Sequence, residues 1–177
     1  MFTVHTMESA PAASRRLMAE TAKHRGHLPE AVALLAESPE LLGTFLKASG
    51  TFGASTLDPV AQEVVIMTMA TRNGCHLCVA MHTARLGALG ADPELIAALR
   101  AGTPLGDPRL EALRQFTLRV LATTGAVGDD ELTDFADAGF TPRNALEVVL
   151  GIGTYTMSTL ANRLVRAPLD EPLKAFA

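Results

Sequence analysis

The stretch Asn73-Gly74-Cys75-His76-Leu77-Cys78-Val79-Ala80-Met81-His82 decides how this chain is read. It holds the only two cysteines of the 177-residue sequence, at C-x-x-C spacing, with His82 one helical turn beyond the second. Gly74 breaks whatever precedes it, and the Ala-rich amphipathic run from Val79 to Leu89 predicts a helix beginning at the cysteines. Both sulfurs then fall in or near the first turn, where unpaired backbone N–H groups and the helix dipole favour an anion. A thiolate is stabilised in that position. Residues 75, 78 and 82 stand in i, i+3 and i, i+7 relation, so their side chains share one helix face. The residues themselves point to a redox or nucleophilic centre.

Working outward, every neighbouring segment reads as a helix. Upstream, Leu57-Asp58-Pro59 supplies an N-cap and a proline at the first helical position. The helix it opens, Val60 to Thr71, carries Glu63 near its N-terminus and ends before Asn73-Gly74. Downstream, the cysteine helix stops at Gly87 to Gly90. Asp92-Pro93 opens a short helix to Arg100, and Asp107-Pro108 opens a longer one to about Thr123. Asp129 to Ala138 and Thr141-Pro142 to Arg166 complete that half. On the N-terminal side, apolar residues recur at helical spacing in Leu17 to Lys23, Pro29 to Ala36 and Pro39 to Phe52. Residues Met1 to Ala13 show no period and are expected to form an arm, mobile or partly docked. Nothing alternates as a strand would. The expected fold is all-α, a single-domain helical bundle over residues 1–177. Its last helix, apolar nearly all round at Val148 to Ile152, is placed in the middle of the bundle or at a subunit contact.

Composition narrows the function classes. A net charge of −4 and a pI near 5.7 leave no basic stripe to neutralise phosphates, which argues against nucleic acid. Hydrophobic residues make up 48% of the chain, and mean hydropathy is +0.22. That is apolar for a monomer and suggests surface covered by subunit contacts. Two cysteines this close cannot brace a fold as a disulfide scaffold does. No signal-peptide pattern opens the sequence and no apolar run reaches membrane-spanning length, so the chain reads as cytoplasmic with no membrane partner. No nicotinamide or flavin signature is present, and no bound cofactor is expected.

From Glu63 to His82 the chain resembles the alkylhydroperoxidase D (AhpD)-like branch of the carboxymuconolactone decarboxylase family. The matching pattern is a glutamate, twelve positions to the first cysteine, C-x-x-C, then x-x-x-H. Thr83-Ala84-Arg85-Leu86-Gly87, Asn162-Arg163 and Pro168-Leu169-Asp170 also look familial. The core likeness covers about Leu57 to Gly90. The resemblance implies an all-helical AhpD-like fold, assembly into trimers or hexamers, and a thiol-dependent peroxidase or disulfide-reductase activity. It also implies roles: Cys78 as the peroxidatic nucleophile, Cys75 as the resolving thiol, His82 and Glu63 as a proton relay through a water. One departure stands out. Some relatives carry a second histidine immediately before the second cysteine, where this chain has Leu77; His76, one place earlier, points elsewhere.

These residues suit hydroperoxide reduction. The reaction needs a thiolate to attack the O–O bond and a proton for the departing alkoxide. Attack on a peroxide leaves a sulfenic acid on Cys78. Cys75 condenses with it, because i, i+3 positions in a helical turn lie roughly 5 Å apart at Cα, within disulfide range. An outside dithiol, a small molecule or a protein, must then re-reduce the pair. Two other classes use the same residues. Cys75, Cys78, His82 and Glu63 number four possible ligands for zinc, although a lone helix with one C-x-x-C is unlike most structural zinc sites. The family's decarboxylase or lactone chemistry needs no cysteine pair, so a chain with both favours redox. Blander readings apply to other residues: His76 as solvent-facing or at an interface, His24 and His27 as a solvated turn, Met67, Met69 and Met81 as packing. Tyr155 and Asn162 are read as buried hydrogen-bond partners between helices rather than as pocket lining.

Overall fold

Five helices begin with proline at the first position behind a side-chain cap. In the computed structural model, which describes residues 1–177, Ser38 caps α3 (Pro39–Gly53), accepting from Leu41 N–H at 3.2 Å. Asp58 caps α4 (Pro59–Arg72) through Ala61 N–H at 2.9 Å. Asp92 caps α6 (Pro93–Ala101), and Asp107 caps α7 (Pro108–Ala122). Thr141 and Asn144 form a reciprocal capping box on α9 (Pro142–Leu164). Each cap satisfies orphan N–H groups and is worth about 1 kcal/mol. The remaining elements are α1 (Ala12–Arg25), α2 (Glu30–Leu35), α5 (His76–Ala88), α8 (Asp129–Asp137) and a terminal 3₁₀ helix (Glu171–Phe176). There is no strand, and the expected helices all form, with ends within a few residues of those read from the sequence. The terminal 3₁₀ helix is an addition. No helix is long and apolar enough to cross a membrane.

The helix at the centre is α4. Ala61 and every residue from Glu63 to Ala70 are buried, and α5, α6, α7 and α9 pack around it. The principal core joins Val64, Val65 and Met67 of α4 to Phe52, Leu86, Leu113 and Val148. The last helix is one-sided, so of the two places expected for it the middle of the bundle is taken by α4. Val148, Gly151 and Tyr155 face inward, while Leu146 is 73%, Val149 50%, Leu160 54% and Leu164 68% exposed. Local hydrophobicity marked α9 as apolar all round, but only α4 has neighbours on every side. Gly151 lets α9 approach closely: a Cβ there would lie 2.7 Å from the Phe52 ring.

Both ends of the chain dock. His5 N–H donates to Ala33 O at 3.2 Å, and Ala10 is buried beside α2. At the other end, Asp170 accepts from Glu30 N–H at 3.2 Å, and Arg100 donates to the carbonyls of Phe176 and Ala177. The tail between them lies against α5, the helix that carries the cysteines.

Candidate redox site

The link from α4 to α5 is a tight reversal. Gly74 takes a positive φ of 63°, a left-handed conformation that glycine adopts without a Cβ penalty. Cys75 N–H donates back to Ala70 O at 2.9 Å, and Cys75 itself becomes the N-cap of α5. Its Sγ accepts the backbone N–H of Cys78 at 3.4 Å, in the place a serine or aspartate oxygen usually fills. The two sulfurs lie 2.8 Å apart, within an S–H···S hydrogen bond. Both cysteines are free thiols and at most 1% exposed.

This arrangement shares one proton between two sulfurs. The hydrogen bond from Cys78 holds the Cys75 thiol down to about 7 from 9.0, against the opposing effect of burial. The same bond, together with burial, pushes Cys78 far up, because a second ionisation would set two negative sulfurs side by side. When the pair ionises, the charge therefore goes to Cys75 and the proton stays on Cys78. On its other side Cys78 meets α9. Asn162 Nδ2 donates to Cys78 Sγ at 3.5 Å and to Ser158 Oγ at 3.3 Å, and Ser158 Oγ lies 3.9 Å from Cys78 Sγ. Both contacts favour a negative Cys78 sulfur and partly offset its rise.

One turn further along α5, His82 Nδ1 lies 2.7 Å from Glu63 Oε2 on α4. Both side chains are buried, and Arg85 Nε stands 3.4 Å from the other Glu63 oxygen. The Tyr155 ring meets the imidazole edge-on, with centroids 5.6 Å apart and planes at 86°. That leaves the Glu63–His82 pair fixed in place. It makes no direct hydrogen bond to either sulfur, so proton traffic between the pair and the thiols needs a bridging water or the substrate itself.

The zinc alternative draws no support from this geometry. Glu63 and His82 are bonded to each other, the two sulfurs are bonded to each other, and no group of three or more His, Cys, Asp or Glu side chains can hold a metal ion. His76, His24 and His27 are exposed, with His27 3.7 Å from Asp170. Met67 and Met69 are buried in the core. Tyr155 and Asn162 are buried, yet both touch the site, one against His82 and the other against Cys78. Ser158 carries no motif of its own in the sequence, and Arg85 stands there only within the familial stretch Thr83 to Gly87. Ser158 is one turn before Asn162 and Arg85 is three residues after His82, which was the only further signal.

Fold and site together define an AhpD-like all-α protein with a buried dithiol. The model of the carboxymuconolactone decarboxylase family matches residues 36–119, a segment that includes Glu63, both cysteines and His82. A similar solved structure is the AhpD-core, uncharacterized peroxidase-related protein from Ralstonia eutropha JMP134. It has a TM-score of 0.84 and 19% identity, covering 97% of this chain and 93% of that one. A peroxidase-related protein from Silicibacter sp. TM1040 gives 0.77 and 18%, covering 92% and 87%. A cysteine-to-alanine variant of the debrominase Bmp8, in complex with 2,3,4-tribromopyrrole, gives 0.77 and 13%, covering 99% and 95%. At these identities the likeness is one of fold. No curated protein sequence matches the chain.

Proposed function

We propose that the protein is a thiol-dependent peroxidase that reduces hydrogen peroxide or small organic hydroperoxides through Cys75 and Cys78. The observation that carries this reading is the 2.8 Å S–H···S contact at the start of α5, beside the Glu63–His82 pair. In the first step the shared proton moves from Cys78 to Cys75. Asn162 and Ser158 hold the Cys78 thiolate, which attacks the terminal peroxide oxygen. The O–O bond breaks, Cys78 becomes a sulfenic acid, and the alkoxide takes its proton from the Cys75 thiol. Cys75, again a thiolate, then attacks the Cys78 sulfur. Hydroxide leaves as water, with a proton delivered from the Glu63–His82 pair through a water, and the disulfide forms. A dithiol of small-molecule or protein origin supplies the two electrons that restore the pair.

A resting dithiol suits a reducing, cytoplasmic compartment. The homo-oligomer, trimer or hexamer, would use the exposed apolar stripe of α9. The test is the rate of Cys75–Cys78 disulfide formation after stoichiometric hydroperoxide, read by intact mass on quenched, alkylated samples. Oxidation well above that of a free thiol, lost in Cys78→Ser and slowed in His82→Ala, is the expected result. Oxidation at the free-thiol rate refutes the reading.

A further inference from the structure

Asn162 is 5% exposed, and its Oδ1 is the only buried side-chain N or O atom in the protein without a hydrogen-bond partner. Leaving such an acceptor unpaired costs about 1–3 kcal/mol, and native structures rarely carry one without a reason. The amide's orientation is explained by its neighbours. The Cys78 sulfur meets Cys75 Sγ at 2.8 Å on one side and accepts from the Asn162 NH₂ at 3.5 Å on the other, so the amide turns its donor end to the sulfur. The carbonyl oxygen is left over within the same amide, one group away from the sulfur. No apolar residue of this shape would have that defect, and a residue needed only for packing between α5 and α9 would not require it.

Resting on the peroxidase reading, we propose that Asn162 is a catalytic residue that holds the oxygen being transferred: its NH₂ steadies the Cys78 sulfur while its Oδ1 accepts the O–H of the hydroperoxide and then of the sulfenic acid. The chemistry makes this economical in atoms. When thiolate attacks the terminal oxygen of R–O–O–H, that oxygen keeps its hydrogen and moves to sulfur as S–O–H. The R–O fragment leaves with the electron pair of the O–O bond and is protonated elsewhere. The same O–H is therefore present before and after transfer, and one fixed acceptor serves both states. A neutral amide is suited to the task, since it cannot strip the proton, and unlike a carboxylate it does not oppose the thiolate. Hydroperoxides are favoured over thiol-directed electrophiles that lack an O–H.

The test compares two oxidants on the full reduced protein: hydrogen peroxide, and methyl methanethiosulfonate, which the same thiols attack with loss of methanesulfinate but which has no O–H. Asn162→Leu keeps the branching at Cγ with somewhat greater bulk and removes both the amide donor and the acceptor. Its expected signature is a fall of at least tenfold in the ratio of the peroxide rate to the thiosulfonate rate, with a melting temperature no lower than wild type because the orphan acceptor is gone. Asn162→Ala, smaller and with no new bulk, should lower the ratio in the same way. An unchanged ratio in both variants while wild type still reacts rapidly with peroxide overturns the inference and leaves the peroxidase reading intact. So does a loss of melting temperature in step with equal losses of both rates. Wild type reacting with peroxide no faster than a free thiol overturns the underlying reading, and this inference with it.

Discussion

Cys75 Sγ meets one residue twice, lying 2.8 Å from the Cys78 sulfur and accepting the Cys78 backbone N–H at 3.4 Å. The first cysteine is thus the N-cap of the helix that presents the second. Its charge is stabilised by that partner, and the disulfide of the proposed reaction needs only a short approach of two sulfurs already in contact. In the proposed reaction the reactive unit is the monoanion of the pair, not either thiol alone.

That sets the pH dependence. Cys75 ionises at about 7, lowered from 9.0, so the rate of disulfide formation should fall about tenfold per pH unit below that value and level off above it. The sign for stability follows from the same shift. A depressed ionisation adds stability above the unfolded value and loses it as pH falls through the folded one. The melting temperature of the reduced protein should therefore gain on that of Cys75→Ser as pH rises from 7 to 9. A rate profile with its midpoint near 9 would show that the S–H···S bond does not exist in solution.

The Glu63–His82 pair yields a second expectation. Glu63→Gln keeps the shape but removes the charge that orients the imidazole, and should slow disulfide formation by roughly 10²-fold, the usual scale of general acid–base catalysis. Attack on a thiosulfonate releases no alkoxide or hydroxide, so that reaction should change far less. If both reactions slow equally, Glu63 acts by supporting the fold around His82. Circular dichroism and melting of the same variant separate that outcome.

Much of this was legible in the sequence because the decisive signals are local. Asp58-Pro59, Asp92-Pro93, Asp107-Pro108 and Thr141-Pro142 mark helix starts by satisfying N–H groups within a few residues of themselves. The Cys75, Cys78 and His82 face follows from helical spacing alone. The contact of Asn162 with Cys78 spans 84 positions and depends on how α9 lies against α5, which no local pattern encodes. Whether α4 or α9 forms the centre is equally non-local: both are apolar, and only the number of packed neighbours separates them. The terminal 3₁₀ helix, with six residues and Pro172 in its first turn, is too short to show a period.

Gly151 provides a stability test at that α9 contact. Alanine is about 1 kcal/mol better than glycine within a helix, so a substitution with free space would stabilise. Here the new methyl would sit 2.7 and 2.9 Å from Phe52 and 3.0 Å from Val65. The Phe52 ring is fully buried and held edge-on by Tyr155 at 5.9 Å, so it has nowhere to retreat. Overpacking typically costs 1–3 kcal/mol, and the net effect of Gly151→Ala should be a loss of about 1–2 kcal/mol in chemical denaturation. Neutral or improved stability would mean that α9 can shift outward freely.

The outer face of α9 bears on assembly. Leu146, Val149, Leu160 and Leu164 are at least half exposed, and with Gly153 and Met157 between them they follow one another at three- and four-residue steps. That spacing keeps the side chains on one stripe along the helix, the pattern a partner helix would cover. Fully burying a leucine or valine contributes about 1.5–3 kcal/mol, so four such residues supply much of what a stable contact needs. Light scattering at micromolar concentration should report a mass that is a multiple of 18.7 kDa. Leu160→Glu combined with Leu164→Glu should shift it toward the monomer without loss of helical signal, since both residues point away from the core. A wild-type mass of 18.7 kDa would show instead that the stripe is bare in solution, and the apolar composition of the chain would need another explanation.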